Sequence, residues 1–145
     1  MVQWSHPNRK DGCFVKKYMI LVLALALLLT ACGGDIGEST RQIREPERFT
    51  RGEIADAMKA VERYFDRHFD GCTLHTIVYD EAETQRETAL AVEDYGEDTI
   101  ILKTDFWVDE TGGDGSWNPE TMYRNYTWTL TKTFFGWKIQ DWGYA

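Results

Sequence analysis

The sequence predicts an α+β domain: a helix, a strand and a second helix, then a three-stranded antiparallel meander, with the helices packed on one face of a curved sheet. Three observations predict it. Ile54, Met58, Val61, Phe65 and Phe69 recur at spacings of three or four, the period of a helix that buries one face. Four later runs are rich in β-branched and aromatic residues, the composition of pleated, half-buried strands. The last two runs are joined by a tight turn at Phe134–Gly136, which makes them antiparallel neighbours.

The first helix is expected over Arg51–Asp70. Thr50-Arg51-Gly52-Glu53 fits a capping box, in which the Thr hydroxyl meets the Glu53 amide and the Glu carboxylate reaches back to the cap. Phe49 and Ile54 flank the cap as a hydrophobic staple, and Gly71 is placed to end the helix. "CTLHTIVYD", Cys72 to Asp80, reads as a strand. "ETQRETALAVEDYG" has helix formers and ends at Gly96, so a second helix is expected near Glu83–Tyr95, although "ETALAVE" also has strand character. "DTIILKTDFWVD", "MYRNYTWTLTKT" and "GWKIQDWGY" are the three strands of the meander. Together they place the globular domain at residues 49–145, large enough for one modest core that the many aromatics help to fill.

Upstream, Met19–Leu29 is an unbroken apolar run behind Lys16 and Lys17. It is too short for a bilayer span, which needs about 20 residues, and matches the core of a signal peptide, about 7 to 15 residues. The run closes on Leu29-Thr30-Ala31-Cys32, which resembles the lipobox of bacterial lipoproteins. The resemblance implies diacylglycerol on the Cys32 sulfur, cleavage after Ala31 and an extracytoplasmic domain held to the membrane by lipid, with residues 15–31 removed as signal peptide. Residues 1–14 are polar, and Val15 reads as the true start of translation, followed by Lys16-Lys17-Tyr18. Gly33–Glu47, "GGDIGESTRQIREPE", is poor in apolar residues, so residues 32–48 are expected to be the lipidated cysteine and a flexible tether.

From Cys32 onward the chain carries 12 Lys and Arg against 23 Asp and Glu, a net charge of −11. No basic stripe is visible in the sequence, which excludes a nucleic-acid binder. The acidity reads as solubility of a surface protein, or as a surface for cations or basic partners. Cys72 is the single thiol left for the folded part, which excludes an internal disulfide and argues against a cysteine-ligated metal site. It is expected to be a small buried hydrophobe rather than a nucleophile.

The helix end "VERYFDRHFDG" and the closing "GWKIQDWGY" are similar to the small NTF2-like or cystatin-like domains of bacterial lipoproteins, most of which have no assigned activity. The resemblance spans Phe49–Ala145 and implies helices against one face of a cone-shaped sheet.

Three constellations bear the residue types of a site. The loop "DETGGDGSWNPE" offers Asp109, Glu110, Asp114 and Glu120 as candidate ligands for calcium, a cation that prefers oxygens. Its spacing departs from the EF-hand pattern, with Thr111 and Gly113 where acidic or amide residues belong and Asp114 where glycine belongs, and the other reading is a plain hairpin loop. Trp117, Trp128, Trp142 and Tyr144 are candidates for stacking on a glycan or burying a peptide, against the reading that they fill the core. By strand parity, Trp137 and Ile139 point to one face and Trp142 and Tyr144 to the other. The family resemblance also implies an acid–base group at the mouth of the cone, for which His68, His75, Asp105 and Tyr64 are the candidates. No Gly-rich phosphate loop, Ser/His/Asp arrangement or HExxH is present, and no residues have mutually supporting catalytic roles. The expectation is therefore a non-enzymatic, membrane-anchored accessory or binding domain without a resident cofactor. A calcium-, glycan- or peptide-binding module and a small NTF2-like enzyme are the alternatives.

Overall fold

A computed structural model of the chain describes residues 34–144, which lie in a compact unit beginning at Cys32. The signal segment, the alternative start at Val15 and the lipidation site Cys32 fall outside the described residues. In chain order the elements are β1 (Thr40–Arg44), α1 (Arg51–His68), β2 (Cys72–Asp80), α2 (Gln85–Tyr95), β3 (Thr99–Val108), β4 (Thr121–Thr133) and β5 (Gly136–Gly143). The five strands form one mixed sheet in the order β1-β2-β3-β4-β5.

This corrects the expected fold in two respects. First, the segment expected to be a tether carries a strand. β1 pairs in parallel with β2, Thr40 opposite Thr76 and Arg44 opposite Asp80, so β1, α1 and β2 form a β-α-β crossover. The ordered chain begins earlier still: the Asp35 amide donates to the Cys72 carbonyl, and the Leu74 amide donates to Asp35, both at 2.8 Å. Backbone pairing builds this edge, and of its side chains Ile36 and Ile43 pack against the core.

Second, the helices lie on opposite faces of the sheet. Ile100, Leu102, Phe106 and Val108 of β3 join the core under α1, with Ile54, Met58, Val61 and Phe65. The alternate residues meet α2 instead: Ile101 is 1% exposed beside Ala91, and the Lys103 ammonium donates to Glu87 at 3.2 Å. A strand that is apolar on both faces needs cover on both. The architecture is thus three-layered, unlike the one-faced cone implied by the NTF2-like or cystatin-like resemblance.

The local signals act as chemistry dictates. Thr50 and Glu53 make both halves of the capping box. The Glu53 carboxylate also pairs with Lys132 of β4, fastening the start of α1 to the sheet. Bulges then redirect side chains. Register shifts occur between Leu74 and Thr76, between Thr104 and Phe106, and between Thr129 and Leu130. The last leaves Gln140 as an extra residue, because Leu130 faces Ile139, Thr129 faces Asp141 and Trp128 faces Trp142. An extra residue reverses strand parity beyond it. Trp142 and Tyr144 therefore share the α1 face with Trp137 and Ile139, contrary to the simple alternation.

Candidate functional site

The aromatics condense into one network beneath the C-terminal half of α1. Trp128 is fully buried, with its indole Nε1 donating to Thr104 Oγ1 at 2.8 Å. It is a core residue and leaves the set of surface stacking candidates. Trp117 is half-buried, stacked on Phe69 with ring centres 5.4 Å apart and edge-on to Phe106 and Tyr123. Trp142 packs on Tyr64 at 4.9 Å yet stays 42% exposed, and Tyr144 is 60% exposed. Both edge a hollow of about 250 Å³ between α2 and the sheet, with Leu90 and Tyr95 on its helical side.

The acidic loop spends its oxygens locally. Asp109 Oδ1 accepts from the Thr111 amide and hydroxyl, and Asp114 Oδ1 accepts from the Ser116 amide at 3.0 Å. Hydrogen bonds from Thr111 and from Ser116 hold the two carboxyls below the usual carboxylate range. Glu110 and Glu120 are exposed. Among the described residues no three His, Cys, Asp or Glu side chains converge as a metal-holding group. The glycines serve conformation and closeness: Gly113 has φ +64, and a Cβ there would lie 2.5 Å from the Asp70 carbonyl oxygen.

The candidate acid–base residues do not assemble. His75 is exposed at the β2 bulge, and Asp105 accepts from the Asn125 amide at 2.9 Å. His68 lies against Tyr64, ring centres 4.3 Å apart, at the end of α1. Cys72 is buried among the charges of Asp109, Asp114 and Asp70, and burial first, then those charges, push its thiol up to about 12. The thiolate that nucleophilic chemistry needs is suppressed.

Two further hollows have definite electrostatic character. The larger, about 460 Å³, opens between α2 and the loop after β1. Ala82, Ala89 and Val92 supply its apolar lining, and Glu45, Glu47, Glu81 and Glu97 its charge. Glu81 is built in: its carboxylate accepts from the Tyr79 hydroxyl at 2.7 Å and from the amides of Glu47 and Arg48 at 2.8 and 3.1 Å. Burial raises its pKa, but these hydrogen bonds outweigh that, so Glu81 sits below the usual carboxylate range. The same burial, then the Glu81 contact, pushes Tyr79 up. Arg48 donates to the carbonyls of Glu97 and Thr99, so its charge is held at the wall. Glu45 adopts φ +43, a strained conformation for a residue with a side chain.

The other hollow, about 320 Å³, runs between α1 and the edge strand β5 and is lined by Arg63, Tyr64, Arg67, His68, Trp137 and Lys138. No basic cluster is visible in the sequence, where only the four-residue spacing of Arg63 and Arg67 on one helix hinted at it. Lys138 lines the groove from the edge strand, at a register position that alternates away from the α1 face held by Trp137 and Ile139. Among the described residues no helix is long and apolar enough to cross a membrane. No protein-family model, no curated protein and no solved structure matches this chain.

Proposed function

We propose that the protein is a lipid-anchored, extracytoplasmic binding domain whose ligand site is the cleft between α2 and the β1–α1 loop, and whose ligand is cationic and partly apolar, such as a basic peptide segment. The cleft is the observation that carries the reading. It is the largest hollow described, and it pairs an apolar lining with four glutamates, of which Glu45, Glu47 and Glu97 make no side-chain hydrogen bond among the described residues. An apolar hollow with a few convergent polar groups is the common form of a small-ligand site. His and Cys are absent from its lining, which suits recognition rather than proton transfer or nucleophilic attack.

The anchor is supported by where the fold begins. The first described backbone hydrogen bonds are at Asp35, three residues after Cys32, so cleavage after Ala31 removes no part of the β1–β5 domain. Lipidation is tested by the mass of the Cys32 peptide from membrane-extracted protein, which should carry a diacylglycerol, and by Cys32→Ala, which should leave the membrane fraction. The cleft is tested by calorimetric titration of the full chain with a Lys/Arg-rich and a Glu-rich hexapeptide. Heat with the basic peptide only, lost in Glu47→Gln/Glu97→Gln, is expected; equal response to both peptides would overturn the site.

A further inference from the structure

Among the described residues the most exposed large apolar side chains are Phe134 and Phe135, each 96% exposed, on the turn that joins β4 to β5. Their rings meet edge to face, 5.2 Å apart. The turn beneath them is closed by its own hydrogen bonds: the Thr133 hydroxyl donates to the Gly136 carbonyl at 2.7 Å and accepts from the Phe135 amide at 3.3 Å. The pair is thus an apolar knob on a fixed base, and two adjacent phenylalanines held in water mark a surface that another surface covers.

Charge says what covers it. No Asp or Glu occurs from Thr121 to Gln140 in an otherwise acidic domain, and Lys132 and Lys138 bracket the knob. Lys132 is held by Glu53, whereas Lys138 is exposed and meets no carboxylate among the described residues. An apolar knob between two lysines is the cationic, partly apolar segment that suits the glutamate cleft. The cleft offers Ala82, Ala89 and Val92 to a ring and Glu45, Glu47 and Glu97 to a cation. Its volume, about 460 Å³, is that of a pocket for an organic ligand and has room for a phenylalanine ring.

We infer that the ligand of the glutamate cleft is the β4–β5 hairpin tip of a second copy of this chain. The inference rests on the proposed role of the cleft and names its partner. Tip and cleft share one end of the sheet: the Lys132 amide donates to the Asp98 carbonyl at 2.9 Å, and Glu97, the residue before, lines the cleft. Two copies can therefore exchange tips about a single twofold axis, which closes the pair instead of propagating a fibre. Gly34 packs at the other end, where Asp35 bridges Thr73 and Cys72 faces Val108. Under the proposed anchoring, copies side by side on one membrane present tip and cleft at the same height. Four rings at about 150–250 Å² each, with the cleft surface they cover, reach the roughly 1,200 Å² at which specific interfaces begin.

The test uses two pools of the membrane-extracted full chain in detergent, one carrying a donor and one an acceptor fluorophore on a C-terminal tag. Energy transfer between parent pools is expected at micromolar protein. Phe134→Ser/Phe135→Ser pools should lose it among themselves at an unchanged melting temperature, and so should Glu47→Gln/Glu97→Gln pools. Mixing the first variant with the second should restore it in part, because the tip of one still meets the cleft of the other. No transfer between parent pools, or no recovery in the mixture, would overturn the inference. Loss in the phenylalanine variant alone would overturn it too, marking a tip that enters lipid or detergent. If the Lys/Arg-rich hexapeptide binds the cleft while parent pools show no transfer, the inference falls and the cleft stands; if the hexapeptide fails as well, the reading of the cleft falls with it.

Discussion

Glu62 of α1 holds the guanidinium of Arg41 on β1 with both of its oxygens, Nε to Oε1 at 2.7 Å and a second parallel bond to Oε2. This pair clamps a nearly polar edge strand to the helix above it. The Arg41 side chain is 39% exposed, so solvent screens much of the attraction. Glu62→Gln should therefore cost about 1 kcal/mol, read as a lower urea midpoint. It should also speed hydrogen exchange at Gln42–Arg44 more than at β3.

The buried pair Trp128–Thr104 should be less forgiving. Thr104→Val keeps the shape of the side chain but leaves the indole N–H without a partner in the core, at a cost of about 1–3 kcal/mol. Thr104→Ser should recover most of that, and the comparison by thermal melt separates the hydrogen bond from packing.

The contact between Glu53 and Lys132 predicts an acid limb. Lys132 first, then Thr50, draws Glu53 down to about 2 from an ordinary 4.5. A carboxylate with a depressed folded pKa stabilises the fold above its unfolded value and loses that contribution as pH falls from about 4.5 to about 2. Stability measured across this window should fall less steeply in Lys132→Ala than in the parent, and the two profiles should run parallel above pH 6.

Cys72 gives the opposite sign. Its thiol is raised to about 12, so the folded state favours the protonated form, and the contribution is present below about 9 and lost as pH rises towards 12. At pH 8 iodoacetamide should label the Cys72 peptide slowly in the folded protein. Labelling should accelerate at least about tenfold in denaturant, as buried thiols do.

Two glycines of α1's surroundings should respond in opposite directions. Gly34→Val forces a side chain into Phe65 and should destabilise by about 1–3 kcal/mol. Gly52, in the first turn of α1, has only the Thr50 hydroxyl near its notional Cβ, at 3.9 Å, and Gly52→Ala should stabilise by about 0.5 kcal/mol. Denaturant midpoints of the two variants decide both.

Elements whose formation is decided by their own side chains were readable in the chain. The capping box and apolar stripe predict a helix over Arg51–Asp70, and it spans Arg51–His68. Cys72–Asp80 has the predicted bounds, and the strands of the meander shift by a residue or so. Elements decided by a neighbour were not. TRQIR has one apolar residue, and β1 exists because β2 offers it backbone partners. The run "TIIL" fits a strand covered once or twice, and the second layer shows only in the fold, where Ile101 is buried beneath α2 and Lys103 reaches Glu87. The bulge at Gln140 inverts the assignment of Trp142 and Tyr144, a change of one residue that no periodicity argument registers. The candidate sites follow the same division. The acidic loop and the aromatics are contiguous signals, whereas the α1–β5 groove joins residues more than seventy positions apart.

The buried Gly34 has a consequence for how such a protein would meet a partner. Under the proposed anchoring, only Gly33 separates the lipid-bearing residue from the first buried position, so the domain is moored without rope. A long leash sweeps a volume and lets a domain fish for targets across a gap, with an effective concentration set by leash length. A moored domain searches by gliding in the plane of its leaflet and engages what comes down to it, at a height set by its own sheet. Lengthening the chain between Cys32 and Gly34 would convert a fixed sentry into a rover.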